Sequence, residues 1–260
     1  MARTYRFFCR NEKMTHLLEQ SQQMLAFTEE LETEIFFQLS KVLRVQMGDT
    51  VVLLPALTNG TAHEYFFEVV DISKKMISLK LNRVVENTNE LPFQLGLVVG
   101  LPNKPEKLEF IIQKAVEIGV THITLVEGDF SQMKHQLRLD RLQKILVEAA
   151  EQSERGRVPE LIVAGKLSLY LQNLKDAEKK QLYVAMERLG QEESSLPKLL
   201  LEHKPAEQIH ILVGPEGGFS EAEKKLITEL SLTCFSLGKR VLRMETAVIL
   251  SLGVVPLLLA

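Results

Sequence analysis

From residue 95 onward, continuous apolar runs alternate with amphipathic segments, and this alternation restricts the fold more than any other feature of the chain. The apolar runs are 95–101, 122–126, 161–164, 182–186, 209–213 and 234–237. Between them, residues 107–118, 138–154 and 221–230 place apolar side chains at helical spacing, and a last helix opens near Glu245. Strands that are apolar on both faces and separated by helices imply an α/β fold with a parallel sheet covered on both sides. Ligands of such sheets sit beyond the carboxyl ends of the strands, which directs attention to the loops after Val213 and Leu237.

The first 86 residues have a different texture. An extended segment at 4–8 precedes a helix predicted over 29–43, where Leu31, Ile35, Leu39 and Val42 or Leu43 recur at helical spacing. Short β-rich runs follow at 50–54, 65–72 and 76–81, punctuated by the turn pairs Gly48-Asp49 and Asn59-Gly60. Short strands closed by polar turns, with one helix, describe a small β-barrel. The polar stretch ENTNELP then reads as a linker, so two domains are expected, 1–86 and 87–260.

Composition narrows the functional classes. With 31 Lys plus Arg against 34 Asp plus Glu, the net charge of −3 argues against a histone-like protein held to nucleic acid by bulk charge, though not against a local basic face. Cys9 and Cys234 lie far apart and outside any CxxC pair, so neither a disulfide framework nor a cysteine zinc site is expected, and a reducing, cytoplasmic setting fits. The opening MARTYRFFCR has no apolar run of the kind a secretory leader needs. Residues 246–260 are strongly apolar but span only 15 positions and contain Gly253 and Pro256, whereas a membrane span needs roughly 20 residues. They read as a buried helix or a subunit interface, with no membrane partner. The histidines are scattered without ligand spacing, so no metal is expected, and GxGxxG, GxxxxGK[ST], GxSxG and HExxH are all absent.

Two segments carry chemistry. The first, Val213-Gly214-Pro215-Glu216-Gly217-Gly218-Phe219-Ser220, follows the strand IHILV. Its glycines let backbone amides approach a ligand closely. Ser220 with Glu223 forms a capping box, which places a helix start and its free amides at the same point. The second, Leu237-Gly238-Lys239-Arg240-Val241-Leu242-Arg243-Met244-Glu245-Thr246-Ala247, also runs from a strand into a helix and is rich in cations. Cations at a helix N-terminus oppose its dipole, so an anionic ligand, a phosphate backbone or a buried partner should favour them there.

VGPEGGFSEAE and LGKRVLRMETA resemble the two C-terminal signatures of the ribosomal RNA uridine-N3 methyltransferases of the small subunit, a family of the knotted SPOUT methyltransferases. KLEFIIQKAVEIGVTHI, RLQKILVEAAEQSERGRVPEL and, near the N-terminus, SKVLRVQMGD match it in order. The resemblance implies an N-terminal PUA-like barrel for RNA, a C-terminal domain with a trefoil knot, S-adenosylmethionine as methyl donor, 16S ribosomal RNA or the small subunit as partner, and a homodimer. It carries Val213, Gly214, Pro215, Gly217, Gly218, Leu237, Gly238, Val241, Leu242 and Thr246 over as the donor site. It departs from the family at Glu127-Gly128-Asp129-Phe130-Ser131, where a Glu-Arg-Ser run is common and the usual arginine is missing here.

Methylation at uridine N3 requires loss of an imide proton, and a nearby cation would stabilise the anion that develops. Arg243 is the candidate cation, and Glu216 or Glu245 the candidate proton acceptor. RNA contacts are expected from Arg3, Arg6 and Arg10, interleaved with Tyr5, Phe7 and Phe8, and from Arg44, Arg155 and Arg157. Two alternatives stand beside this reading. One is a non-catalytic RNA-binding or ribosome assembly factor with the same fold, favoured by the missing arginine, and the other is a SPOUT methyltransferase with a different RNA target.

Overall fold

The structure, a computed structural model, describes residues 3–9, 11–55, 62–131, 137–187, 194–203 and 207–260. It is a mixed α/β chain with two sheets, divided into two compact units. One comprises Met1–Glu90 with Ala150–Val158, the other Leu91–Ala149 with Pro159–Ala260.

The first unit contains β1 (Thr4–Cys9), α1 (Glu12–Glu19), β2 (Met24–Thr28), α2 (Thr33–Phe37), a π-helical turn at Gln38–Val42, then β3 (Thr50–Pro55), β4 (His63–Ile72) and β5 (Met76–Glu86). The strands form one sheet in the order β1-β3-β4-β5-β2, parallel only between β1 and β3. Among the described residues β1 and β2 are its edges, so the strands expected to close a barrel form an open five-stranded sheet. Alternation decides which face is buried: on β2, Leu25 and Phe27 turn inward beside Leu53, Phe67, Ile77 and Leu79.

The helix expected over 29–43 is shorter and bent. The Thr28 carbonyl accepts from Leu31 and Glu32, which delays the helix to Thr33, and Leu43 N–H reaches back to the Gln38 carbonyl, which widens its last turn. Helix α1 and strand β2 were not expected. Asn11 caps α1 by accepting from Lys13 N–H, and Met14 and Leu18, four apart, bury one face of it.

The second unit runs β6 (Gln94–Gly100), α3 (Pro105–Ile118), β7 (His122–Glu127), α4 (Leu139–Gln152), β8 (Glu160–Lys166), α5 (Leu167–Gln172), α6 (Asp176–Gln181), β9 (Leu182–Ala185), α7 (Leu196–His203), β10 (Gln208–Val213), α8 (Glu221–Glu229), β11 (Thr233–Phe235) and α9 (Met244–Leu259). The sheet is parallel throughout, in the order β11-β9-β10-β6-β7-β8. Its central strands are apolar because both faces are covered: Leu95, Leu97, Val98 and Val99 are all buried. Among the described residues no helix is long and apolar enough to cross a membrane.

Gly96 sits in register between His210 on β10 and His122 on β7. A Cβ there would lie 2.3 Å from His122 Nε2 and 2.9 Å from His210 Nδ1, so the missing side chain is what lets the two imidazoles meet at 3.2 Å. Thr121 Oγ1 donates to the Leu95 carbonyl and is left to accept from His122 Nδ1. That makes His122 Nε2 the acceptor and His210 Nδ1 the donor.

Candidate active site

Beyond the carboxyl ends of β9, β10 and β11 lies a cleft of about 410 Å³, within the range of about 300–1,000 Å³ usual for small-molecule sites. The sequence-derived donor residues converge on it. Val213, Gly214, Pro215, Gly217 and Gly218 form one wall, and Leu237, Gly238, Val241 and Leu242 another. Thr246 is not part of the lining, although Met244 and Ala247 are.

The glycine loop is shaped by close approaches. A Cβ on Gly100, at the end of β6, would lie 2.5 Å from Pro215 N, and one on Gly214 would meet the Phe219 ring at 3.0 Å. Gly218 and Gly238 take φ of +73° and +104°, left-handed backbone that an L side chain rarely adopts, and both expose main chain to the cleft. Behind the loop, the Ser220 hydroxyl accepts from Glu223 N–H at 3.2 Å, and the Glu223 carboxylate accepts from Ser220 N–H at 2.7 Å. The capping box read from the sequence is therefore formed.

Glu223 is buried and does more than cap: its Oε1 accepts from Asp129 N–H at 2.9 Å, and the Ser220 hydroxyl donates to the Asp129 carboxylate. The departing segment 127–131 is thus fastened to the glycine loop.

Glu216 is held at both oxygens, Oε2 by Asn103 N–H at 3.0 Å and Oε1 by the Lys107 ammonium. Burial alone would raise its pKa, but Lys107 and the Asn103 amide outweigh it and hold the carboxyl below its usual range. Lys107 is raised in turn, first by its hydrogen bond to Glu216, with Glu245 adding and Arg243 opposing. A carboxylate stabilised in this way is a poor proton acceptor, and Glu216 instead ties the glycine loop to the start of α3. Arg243 is exposed as the residue before α9. Glu245 Oε2 is buried and has no hydrogen-bond partner among the described residues.

Several wall residues were missed by sequence reasoning. Ala185, Met186 and Glu187 close the cleft at the end of β9, and Phe219 and Lys224 complete its floor. The rule that ligands sit at strand carboxyl ends would have pointed to β9 as well. Lys239 and Arg240, noted only as part of a cationic run, also line the cleft.

The cations assigned to RNA divide into two groups. Arg3 and Arg44 are exposed, Arg44 with φ of +50°. Arg6 and Arg155, by contrast, are turned inward. Arg6 Nη2 donates to Glu64 at 2.6 Å and to the Arg155 carbonyl at 2.9 Å, while Arg155 pairs bidentately with Glu90 at 3.2 and 2.6 Å. Their guanidiniums are committed to structure within the first unit. Arg157 is half-buried, its N–H donating to Glu90, and Arg10 lies outside the described residues. Among the described residues no group of three or more His, Cys, Asp or Glu could hold a metal ion.

A family model for an RNA methyltransferase domain matches residues 89–256. Ribosomal RNA small subunit methyltransferase E of Bacillus subtilis (strain 168) is 31% identical over 221 residues, covering 82% of this chain and 84% of that protein. The protein of the same name from Rickettsia conorii is also 31% identical, covering 84% of each. Among solved structures, a putative methyltransferase from Legionella pneumophila in complex with the bound cofactor SAM matches with a TM-score of 0.75 and 25% identity over 97% of both chains. The ribosomal RNA small subunit methyltransferase E of Neisseria gonorrhoeae, bound to S-adenosyl methionine, matches with a TM-score of 0.77 and 24% identity over 96% of this chain and 95% of that one.

Proposed function

We propose, from the premise that this chain belongs to the ribosomal RNA small subunit methyltransferase E family, that it methylates a uridine of 16S ribosomal RNA at N3 with S-adenosylmethionine as donor. The observation that carries this reading is the convergence of two loops, those after β10 and β11, on one cleft rich in exposed backbone. The residues fit the donor: main chain at Gly217, Gly218 and Gly238 offers hydrogen bonds to its polar groups, and Val213, Leu237, Val241 and Leu242 offer apolar surface to its adenine.

The donor supplies an electrophilic methyl group on a sulfonium. The chain's own residues prepare the nucleophile. Arg243, at the start of α9, stabilises negative charge developing on the uracil ring as the imide proton leaves. Glu245, whose Oε2 is buried and unpartnered among the described residues although neither it nor Arg243 is part of the cleft lining, is the candidate acceptor for that proton, and Glu216, which does line the cleft, keeps the loop in position through Lys107 and Asn103.

Residues 1–86 are read as a PUA-like, RNA-binding domain and 87–260 as a SPOUT domain with a trefoil knot. Exposed Arg3 and Arg44 are the RNA contacts that the geometry favours within the first of these. A homodimer is part of the reading, supported by Leu250, Leu257 and Leu258, which α9 leaves in solvent. The unpaired Cys9 and Cys234 fit a reducing cytoplasm.

The test is methyl transfer from labelled S-adenosylmethionine to small-subunit particles from a strain lacking the protein, followed by nucleoside mass spectrometry. Appearance of 3-methyluridine is the expected result. Label in another nucleoside would overturn the uridine assignment, and no label at all would overturn the activity.

A further inference from the structure

Phe130 stands 49% exposed on the turn that follows β7. Three hydrogen bonds fasten the turn. Gly128 N–H donates to Ser131 Oγ at 3.0 Å, Ser131 N–H returns to the Gly128 carbonyl at 2.9 Å, and Asp129 N–H donates to Glu223 at 2.9 Å. Gly128 itself is buried, where a Cβ would meet Pro215 and Glu223 at 3.1 and 3.2 Å. A side chain rooted on such a turn is presented in a fixed place, so little backbone freedom is left to lose when something binds it.

That place is beside the cleft. A Cβ on Gly217, a residue of the cleft wall, would lie 2.7 Å from Phe130 Cβ and 3.4 Å from its Cγ. Lys239 and Arg240 line the same cleft. An aromatic face kept in water favours a flat apolar partner, and neighbouring cations favour a phosphodiester. Unpaired nucleic acid offers the two together, because its bases can stack while its backbone meets positive charge.

We infer that Phe130 is a stacking subsite for an unpaired base of the RNA substrate, at the mouth of the donor cleft. The inference rests on the methyltransferase reading and adds to it that the target lies in single-stranded RNA, since a base inside a duplex has both faces covered.

The chain contains no tryptophan, so Phe130→Trp installs a single fluorophore at the site. Titration of that variant with oligouridylate is expected to quench its indole emission. Unchanged emission at oligouridylate concentrations that saturate the unaltered protein, or a failure of oligouridylate to bind either form, overturns the inference. Phe130→Ala is expected to raise the KM for small-subunit RNA about tenfold, with donor Kd and Tm unchanged. Phe130→Tyr, which keeps the ring, is expected to retain the original KM. An unchanged RNA KM in Phe130→Ala also overturns the inference. If the unaltered protein transfers no methyl to any RNA, the activity reading falls, while the quenching result still decides the stacking.

Discussion

The backbone amide of Asp129 donates to Glu223 Oε1 at 2.9 Å, across 94 residues of sequence, and so joins the turn after β7 to the helix that begins behind the glycine loop. One buried carboxylate therefore holds two amides, those of Asp129 and Ser220. Glu223→Ala should leave both without a partner and cost roughly 1–3 kcal/mol in denaturant unfolding. Donor affinity measured by calorimetry should fall with it. Glu223→Gln, which keeps one acceptor oxygen, should lose about half as much. A Glu223→Ala protein with unaltered stability would show that the amides find other partners.

Arg243 is assigned to charge that develops only during reaction. Arg243→Ala should lower kcat by about a hundredfold at saturating donor and RNA, comparable to losing one donor of an oxyanion hole. Donor Kd should be unchanged. If kcat holds while the RNA KM rises, Arg243 grips RNA instead.

The Lys107–Glu216 pair gives a signed pH dependence. Glu216 is held below its usual pKa, so its contribution to stability is present above the unfolded value near 4.5 and is lost as pH falls through the lower folded value. Lys107 is held above its usual value, so its contribution is present below about 10.5 and is lost as pH rises through the higher folded value. Chemical denaturation across pH should show both losses in the unaltered protein, and Lys107→Met should flatten both. Equal slopes in the two proteins would remove the pair from the account.

His210 shares the sign of Glu216, opposite to that of Lys107, but its shift comes from burial and not from an ion pair. Burial first, then His122, lowers its pKa from 6.5 to about 4. Between those values the unfolded chain binds a proton that the folded chain refuses, so stability should fall as pH drops from 6.5 towards 4. His210→Gln should make that decline shallower. Gly96→Ala should destabilise by about 1–3 kcal/mol at neutral pH, because its methyl would occupy the space of the imidazole contact.

The arginines of the first unit can be told apart by experiment. Arg44→Ala should weaken RNA binding across sequences and reduce the slope of log K against log salt by about one. Arg155→Ala should instead cost roughly 3–5 kcal/mol of stability, because it empties a buried site and leaves Glu90 with the Gly156 and Arg157 amides as partners. A salt slope that changes only in Arg155→Ala would reverse these roles.

The parallel sheet and both loops of the cleft were legible because local signals coincide there: apolar runs, glycines and a Ser220–Glu223 cap all fall within short windows. The inward turn of Arg6 and Arg155 was not, since Glu64 and Glu90 lie 58 and 65 residues away and no local pattern announces such partners. Helices α5 and α6, six residues each, are too short for a helical period to emerge. The end of β9 carries no glycine to mark it, so Ala185, Met186 and Glu187 went unnoticed although their strand was expected.

Strand order also has a temporal consequence. Strand β10 lies between β9 and β6 and pairs with both, yet it is made after them. A chain emerging from the ribosome can thus complete the sheet of its first unit, and pair β6 with β7 and β7 with β8, while β9 still lacks its central neighbour. Every wall of the cleft lies at or beyond Ala185. The first unit's sheet is therefore complete well before the cleft, and a nascent chain carries a folded first sheet for the whole time in which its second sheet still waits for its central strand.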